Sequence, residues 1–160
     1  MTYVFFILWA LLVVAVSMLF LYHFTNRGMT LDLIDFDRIQ MPYVTLSIQD
    51  NLMNFIIDTA CGISVLNKQA IDDIELLYRV SGRKVGLSGI TDKEVVSVPI
   101  TVEFELNKKH VQEDFFIHDV EDFANFKAWH DVTIHGLLGN SFLDEHNCKI
   151  DFKKHKLTIL

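Results

Sequence analysis

One carboxylate, Asp58, is set into an apolar run that extends from Phe55 to Leu66, and residues that favour a turn follow it. Burying an ionised carboxylate costs far more free energy than ordinary folding contacts return, unless the group is paired, hydrogen-bonded or neutralised. This Asp is therefore either a structural residue that caps a turn or an acid that takes part in chemistry. A carboxylate can take part in proton transfer, so acid–base chemistry is one candidate reason for its position.

The elements around Asp58 are predicted to be short β-strands. Apolar residues recur with a period of two, or in brief β-rich runs, between turn signals such as Asn51 and Asn107. The predicted strands cover residues 43–48, 53–57, 95–106 and 111–118, and a closing hairpin pairs residues 148–152 with 156–160. Short helices are predicted over residues 68–73, capped by Asn67, and over 140–146, whereas residues 119–131 form a connecting segment of undefined type. This pattern is typical of a small closed β-barrel.

Three segments together resemble the single-lobed, retropepsin-like branch of the aspartic peptidases. Asp58-Thr59, between two apolar runs, is similar to the Asp-Thr-Gly active-site loop of that family. Residues 136–143 look like its second motif, a hydrophobic-hydrophobic-Gly segment that leads into a helix, and residues 85–90 lie where the family keeps a flap. The resemblance spans roughly residues 41–160 and implies a mainly β, closed retropepsin-like (acid protease) barrel with one or two short helices.

The resemblance also implies roles for individual residues. Asp58 would be the catalytic residue, and Thr59 would lock two active-site loops together through hydrogen bonds. The residues implied to support the active-site loop are Thr59, Ala60, Cys61, Gly62, Leu137, Leu138 and Gly139. The residues implied to form the flap, inside a predicted hairpin, are Gly86, Leu87, Ser88, Gly89 and Ile90. Taken alone, the two glycines of that flap indicate only turns.

The chain carries one Asp-Thr loop, so the second carboxylate of an aspartic dyad has to come from another copy of Asp58. This predicts a homodimer with the active site on its two-fold axis, since an isologous interface places the same residue on both sides. The implied substrate is a peptide or protein. No cofactor is predicted.

Ala60 is the main departure from the family pattern, because it stands where the family has Gly after Asp-Thr. Glycine tolerates backbone conformations and close approaches that a methyl group blocks. Two functions are therefore open: an aspartic endopeptidase, or a catalytically weakened or inactive retropepsin-fold module that binds peptides at the membrane. A third, an anchored structural domain without a groove, would not require the flap glycines.

Residues 3–22 contain no charged residue and are dominated by Val, Leu, Ile and Phe. A helix of this length rises about 30 Å, the thickness of the hydrocarbon layer, whereas a secretory h-region has only about 7–15 residues. The sequence therefore predicts an N-terminal transmembrane anchor over residues 1–27 that contacts the lipid bilayer, a stalk over 28–40 and the peptidase domain over 41–160. Arg27 and Arg38 follow the span, which favours a cytoplasmic domain only weakly and leaves the side of the membrane open.

Composition argues against several other classes of protein. The formal net charge of −7, from 21 acidic and 14 basic residues, argues against nucleic-acid binding. His130 and His135 are five residues apart and no His-Glu-x-x-His occurs, so no metal site is predicted. Cys61 and Cys148 either form a disulfide or remain free thiols; one bridge is not a disulfide framework, which favours free thiols.

Overall fold

The computed structural model describes residues 2–25, 28–34, 41–83, 85–87 and 95–160, and the described chain is mainly β. The helices are α1 (Thr2–Thr25), α2 (Lys68–Ile71), α3 (Glu121–His130) and α4 (Asn140–Glu145). The strands are β1 (Met29–Asp32), β2 (Tyr43–Ile48), β3 (Asn51–Ile57), β4 (Ser64–Asn67), β5 (Tyr78–Val80), β6 (Val85–Leu87), β7 (Val95–Ser97), β8 (Pro99–Leu106), β9 (Lys109–His118), β10 (Gly136–Leu138), β11 (Lys149–Asp151) and β12 (Lys156–Ile159). The predicted fold class, mainly β with short helices, is confirmed for the domain.

Seven strands form one sheet in the order β2-β3-β10-β4-β9-β8-β5. Within the described chain β2 and β5 are its two edges, so the sheet is a half-barrel and the prediction of a closed barrel is wrong. The physical reason lies at β5, which has three residues, all exposed, and pairs with β8 rather than with β2.

Two tight turns set the register of the two longest hairpins. Gln49 and Asp50, with φ of 49° and 65°, connect β2 to β3, and Asn107 and Lys108, with φ of 52° and 61°, connect β8 to β9. Two successive residues with positive φ give the turn whose twist matches that of paired strands. The turn signal at Asn107 is therefore confirmed, whereas Asn51 is the first residue of β3 and follows its turn.

Strand β10 lies between β3 and β4, parallel to the first and antiparallel to the second. Its fully buried Leu138 packs in the main core, where the rings of Phe55 and Phe115 stack 6.0 Å apart. Leu137 packs in a second cluster, with Tyr43 among its members. Apolar contacts in two separate clusters therefore hold this three-residue strand in place.

A second sheet, in the order β1-β12-β11, pairs β1 with the C-terminal hairpin. Strands β11 and β12 pair antiparallel, which confirms the predicted closing hairpin. Strand β1 lies in the segment predicted as a stalk and pairs with β12, while residues 35–40 of that segment lie outside the described residues.

Helix α1 contains the apolar segment predicted to anchor the chain. Its described side chains, at residues 5–7 and 9–21, are all exposed; the exposed fraction of Trp9, for example, is 68%. Among the residues that the structure describes, no helix combines the length and the apolar character needed to cross a membrane, so the spanning helix predicted over residues 3–22 is not found there.

Candidate active site

Asp58 directly follows the last residue of β3, beside the end of β10. Its backbone N–H donates to the Leu138 carbonyl at 3.0 Å, which continues the contact between these two strands. The backbone N–H of Ala60 donates to Asp58 Oδ1 at 2.9 Å, and the N–H of Cys61 donates to the Asp58 carbonyl at 3.3 Å. The carboxylate therefore caps its own turn through Oδ1, and no described residue donates a hydrogen bond to Oδ2.

The Asp58 carboxylate is less enclosed than its apolar neighbours in the sequence suggest. Ile57, the last residue of β3, is 5% exposed, whereas Asp58 is half-buried. Thr59 and Ala60 are exposed, because the chain leaves the sheet after Ile57 and turns towards solvent. In a single copy of the chain, Asp58 is thus accessible to water or to another molecule.

The first turn of α4 holds the far side of this loop. The backbone N–H groups of Asn140 and Ser141 donate to the carbonyls of Cys61 and Gly62, at 2.7 Å and 3.3 Å. The Asn140 side-chain amide donates to the Thr59 carbonyl at 2.8 Å. The first N–H groups of a helix have no partner inside the helix, so the loop carbonyls satisfy them. The segment implied to support the loop therefore does contact it.

Gly139 connects β10 to α4 and lies directly against the backbone of the loop. A Cβ atom at this position would be 2.1 Å from the Ile63 carbonyl oxygen and 2.8 Å from that of Cys61. The Gly139 N–H donates to the buried Ser64 Oγ at 3.2 Å. Glycine is required here for close approach. No atom lies within 4 Å of the corresponding Cβ position of Gly62, so packing does not require glycine there.

Ala60 occupies the exposed tip of the loop, and its φ is negative. The backbone conformation is therefore one that any residue adopts, and glycine is not needed for it. Both hydrogen bonds of the Asp58 turn form with alanine in place. Within one chain, the methyl group does not displace the carboxylate.

The segment predicted as a flap is described only in part. Gly86 and Leu87 belong to β6, which pairs antiparallel with β7. Ser88, Gly89 and Ile90 lie outside the described residues. The two described residues therefore stand in a hairpin, as the sequence predicts, and the role of this hairpin over a substrate stays a prediction.

A buried acid, Glu113, lies near the other end of α4. Its side chain is 2% exposed and contacts His146 Nε2 through Oε2 at 3.4 Å. Burial raises the pKa of Glu113, and the hydrogen bond with His146 partly offsets that rise.

Cys61 and Cys148 are free thiols. Burial, together with the Glu113 charge, raises the pKa of Cys148 to about 11. No group of three or more His, Cys, Asp or Glu in the described ranges is arranged to hold a metal ion.

Three residues near the loop were not predicted as site residues: Ser64, Gly136 and Asn140. Gly136 begins β10, and a Cβ there would be 2.2 Å from the Val65 carbonyl oxygen. The available signal was a pair of glycines on either side of two leucines, which indicates close backbone approach at both ends. No comparable local signal distinguishes Ser64, because its partner is 75 residues away in the chain.

No protein-family model and no curated protein matches this chain. Among solved structures it is similar to EIAV protease complexed with the inhibitor HBY-793, with 19% identity and a TM-score of 0.50 over 70% of this chain and 93% of that one. It is also similar to a retropepsin-like aspartic protease from Rickettsia conorii, with 19% identity and a TM-score of 0.50 over 82% of this chain and 89% of that one. At this level of identity the likeness is one of fold.

Proposed function

Because the chain has the retropepsin-like fold, we propose that it is an aspartic endopeptidase whose catalytic dyad is formed by Asp58 from two copies of the chain. The observation that carries this proposal is the geometry of the Asp58 turn. The Ala60 N–H fixes Oδ1, while Oδ2 accepts no hydrogen bond from the described residues and the side chain is only half-buried. A general base has to be oriented and accessible in this way.

The proposed reaction needs two carboxylates about 3 Å apart that share one proton. The ionised Asp58 takes a proton from a bound water, whose oxygen bonds to the peptide carbonyl carbon while the π electrons of the C=O bond move onto the carbonyl oxygen. The protonated Asp58 of the other copy donates a hydrogen bond to that oxygen as negative charge develops there. When the C=O bond forms again, the C–N bond breaks and the dyad gives one proton to the leaving amine, so one shared proton remains on the two carboxylates. The exposed position of Thr59 and Ala60 supports this arrangement, since the loop tip is open to a second loop across a two-fold axis.

A peptide-binding module without turnover is the alternative, and Ala60 is the residue that suggests it. The negative φ of Ala60 and the intact Asp58 turn favour the enzyme over this alternative. If the wild type does not cleave and Ala60→Gly does, the chain is a weakened relative of active peptidases and binding becomes the preferred function.

The proposal is tested by cleavage of an unstructured protein at mildly acid pH by the full chain. Asp58→Asn keeps an oxygen to accept the Ala60 N–H but cannot act as a base, so turnover should fall by about 100-fold or more. Asp72→Asn, an exposed acid paired with Lys68, is the matched control and should leave turnover unchanged. Undiminished cleavage by Asp58→Asn refutes the proposal.

The shared dyad is tested separately by mixing wild type with Asp58→Asn and allowing the copies to exchange. If each active site needs Asp58 from both copies, an equal mixture has about a quarter of the wild-type activity, since about a quarter of random dimers carry two Asp58. If each chain acts alone, the mixture keeps about half. Sedimentation at several concentrations measures the dimer independently.

We also propose that residues 3–22 hold the chain at a lipid bilayer. The support is the absence of charged residues in this segment and the exposure of its described apolar side chains. The full chain should then sediment with membranes after alkaline carbonate extraction, and a chain that lacks residues 1–27 should not. Equal release of both chains would exclude a membrane role for this segment.

A further inference from the structure

A cavity of about 640 Å³ lies between α2 with the turn that follows it, α3, and the segment 133–135 that leads into β10. None of the loop residues 58–63 lines it, so this cavity is separate from the Asp58 turn. Its volume is within the range of about 300–1,000 Å³ that is usual for small-ligand sites.

Part of the cavity wall is apolar. Phe123 from α3 and Ile134 are buried residues of the second core cluster, and Ile74 approaches from the turn after α2. These side chains belong to packed elements, so they offer a fixed surface for the apolar part of a ligand.

His135 adds a hydrogen-bond donor of fixed position. The backbone N–H of Asn54 donates to His135 Nδ1 at 3.0 Å, so Nδ1 is the acceptor nitrogen of the ring. A ring whose Nδ1 accepts a hydrogen bond carries its proton on Nε2, and burial, which lowers the pKa of His135, favours this same neutral form. No described residue accepts a hydrogen bond from Nε2. Every buried side-chain nitrogen among the described residues has a hydrogen-bond partner, so an Nε2 without one is not buried. Nε2 therefore reaches accessible space.

Two opposite charges also line the cavity, Asp73 from the turn after α2 and Lys127 from α3. They form no ion pair with each other, and neither pairs with another described residue. Asp72, which is next to Asp73 in the sequence, instead pairs with Lys68 at 2.7 Å. Asp73 and Lys127 are therefore separate charged groups around one space, available to a ligand that carries both signs of charge.

We propose that this cavity binds a short peptide with free termini. The peptide ammonium contacts Asp73, its carboxylate contacts Lys127, and its apolar side chains pack against Phe123 and Ile134. His135 Nε2 donates to an oxygen of the peptide. A free amino acid carries both charged groups on one carbon atom, whereas a peptide separates them by about 3.3–3.6 Å for each residue. Asp73 and Lys127 lie on different walls and do not pair with each other, so a ligand whose two charges are held apart, such as a short peptide, fits them.

Trileucine with free termini, N-acetyl-trileucine and trileucine amide are the probes, and binding to the full chain is measured by calorimetry. Lys127→Met should weaken free and acetylated trileucine about tenfold and leave the amide unchanged, because only the first two carry a carboxylate. Asp73→Asn should weaken free trileucine and the amide about tenfold and leave the acetylated form unchanged. The matched controls, Lys68→Met and Asp72→Asn, alter charges that do not line the cavity and should change nothing.

Nitrogen-15 NMR of the His135 ring gives a second measurement, since its Nε2 resonance should shift when free trileucine is added. The proposal is overturned if trileucine does not bind up to about 10 mM. It is equally overturned if Lys127→Met and Asp73→Asn bind all three probes with the affinity of wild type. It is also overturned if wild type binds the three probes with equal affinity, which would mean that the site recognises only their apolar side chains. Repeating the titration with Asp58→Asn separates this result from the proposed activity, because binding in the cavity should be unchanged when turnover is lost.

Discussion

Replacing Gly139 by alanine should displace the Asp58 loop. The new Cβ would be 2.1 Å from the Ile63 carbonyl oxygen, whereas ordinary van der Waals contact begins at 3.4 Å. The backbone of one segment must therefore move by about 1.3 Å, the difference between these distances. The hydrogen bonds from Asn140 and Ser141 to the loop carbonyls, at 2.7 Å and 3.3 Å, cross this same contact and would lengthen with it.

The expected loss of stability combines two effects. Inserting a methyl group into a filled site costs roughly 1–3 kcal/mol. Each of the two hydrogen bonds that weaken contributes about 1 kcal/mol. Gly139→Ala should therefore lower the free energy of unfolding by about 3–5 kcal/mol, a large share of the roughly 5–15 kcal/mol typical of a domain. At about 3 °C for each kcal/mol in a chain of this length, the midpoint of thermal unfolding should fall by about 9–15 °C.

The measurement is thermal unfolding of the full chain by near-ultraviolet circular dichroism, with peptide cleavage as a second readout. Gly62→Ala is the matched control: it adds the same methyl group to the same loop, but no atom lies within 4 Å of it. That control should change the free energy of unfolding by less than about 0.5 kcal/mol. Similar effects of the two substitutions would show that the contact between Gly139 and Ile63 does not position the loop.

Three further outcomes are expected. Because the pKa of Glu113 is raised above 4.5, the folded state keeps a proton that the unfolded chain has released. The free energy of unfolding should therefore fall as pH rises from 4.5 through the folded pKa. In urea unfolding of Glu113→Gln, the free energy of unfolding should not show this fall with pH. Cys148, with a pKa of about 11, should resist alkylation at about pH 8 until the chain unfolds in urea, as peptide mass spectrometry would show. Ser64→Ala leaves the buried Gly139 N–H without its acceptor and should lower the free energy of unfolding in urea by roughly 1–3 kcal/mol; a loss under about 0.5 kcal/mol would contradict this role.

Helices and strands whose sequence patterns involve only neighbouring residues were predicted well from the sequence. Strand β2 has the predicted bounds, β9 begins two residues earlier than predicted, and α4 ends one residue earlier. Helix α3 was not recognised, because Trp129 is exposed and, among the side chains of this helix that the structure describes, only Phe123 and Phe126 are buried. Two apolar positions three residues apart are too few to establish a helical period.

Features that depend on distant residues could not be predicted. Strand β10 has three residues, and its strand character comes from pairing with β3 and β4. Asn67 precedes α2, as predicted, but its side chain makes no cap; it donates instead to the Ile134 carbonyl at 3.3 Å. At the candidate site, the chemical type and position of Asp58 stand out in the sequence, whereas the contacts of Ser64 and Asn140 arise only in the folded chain.

The insertion of β10 between β3 and β4 also sets the order in which this protein can be completed during its synthesis. Thr59 and Asn140, which meet across the loop, are 81 residues apart in the chain. A nascent chain on the ribosome contains Asp58 long before it contains the strand and helix that hold the Asp58 loop, and contacts between such distant residues form slowly. The loop can therefore be held in place only after β10 and α4, residues 136–145, have been made.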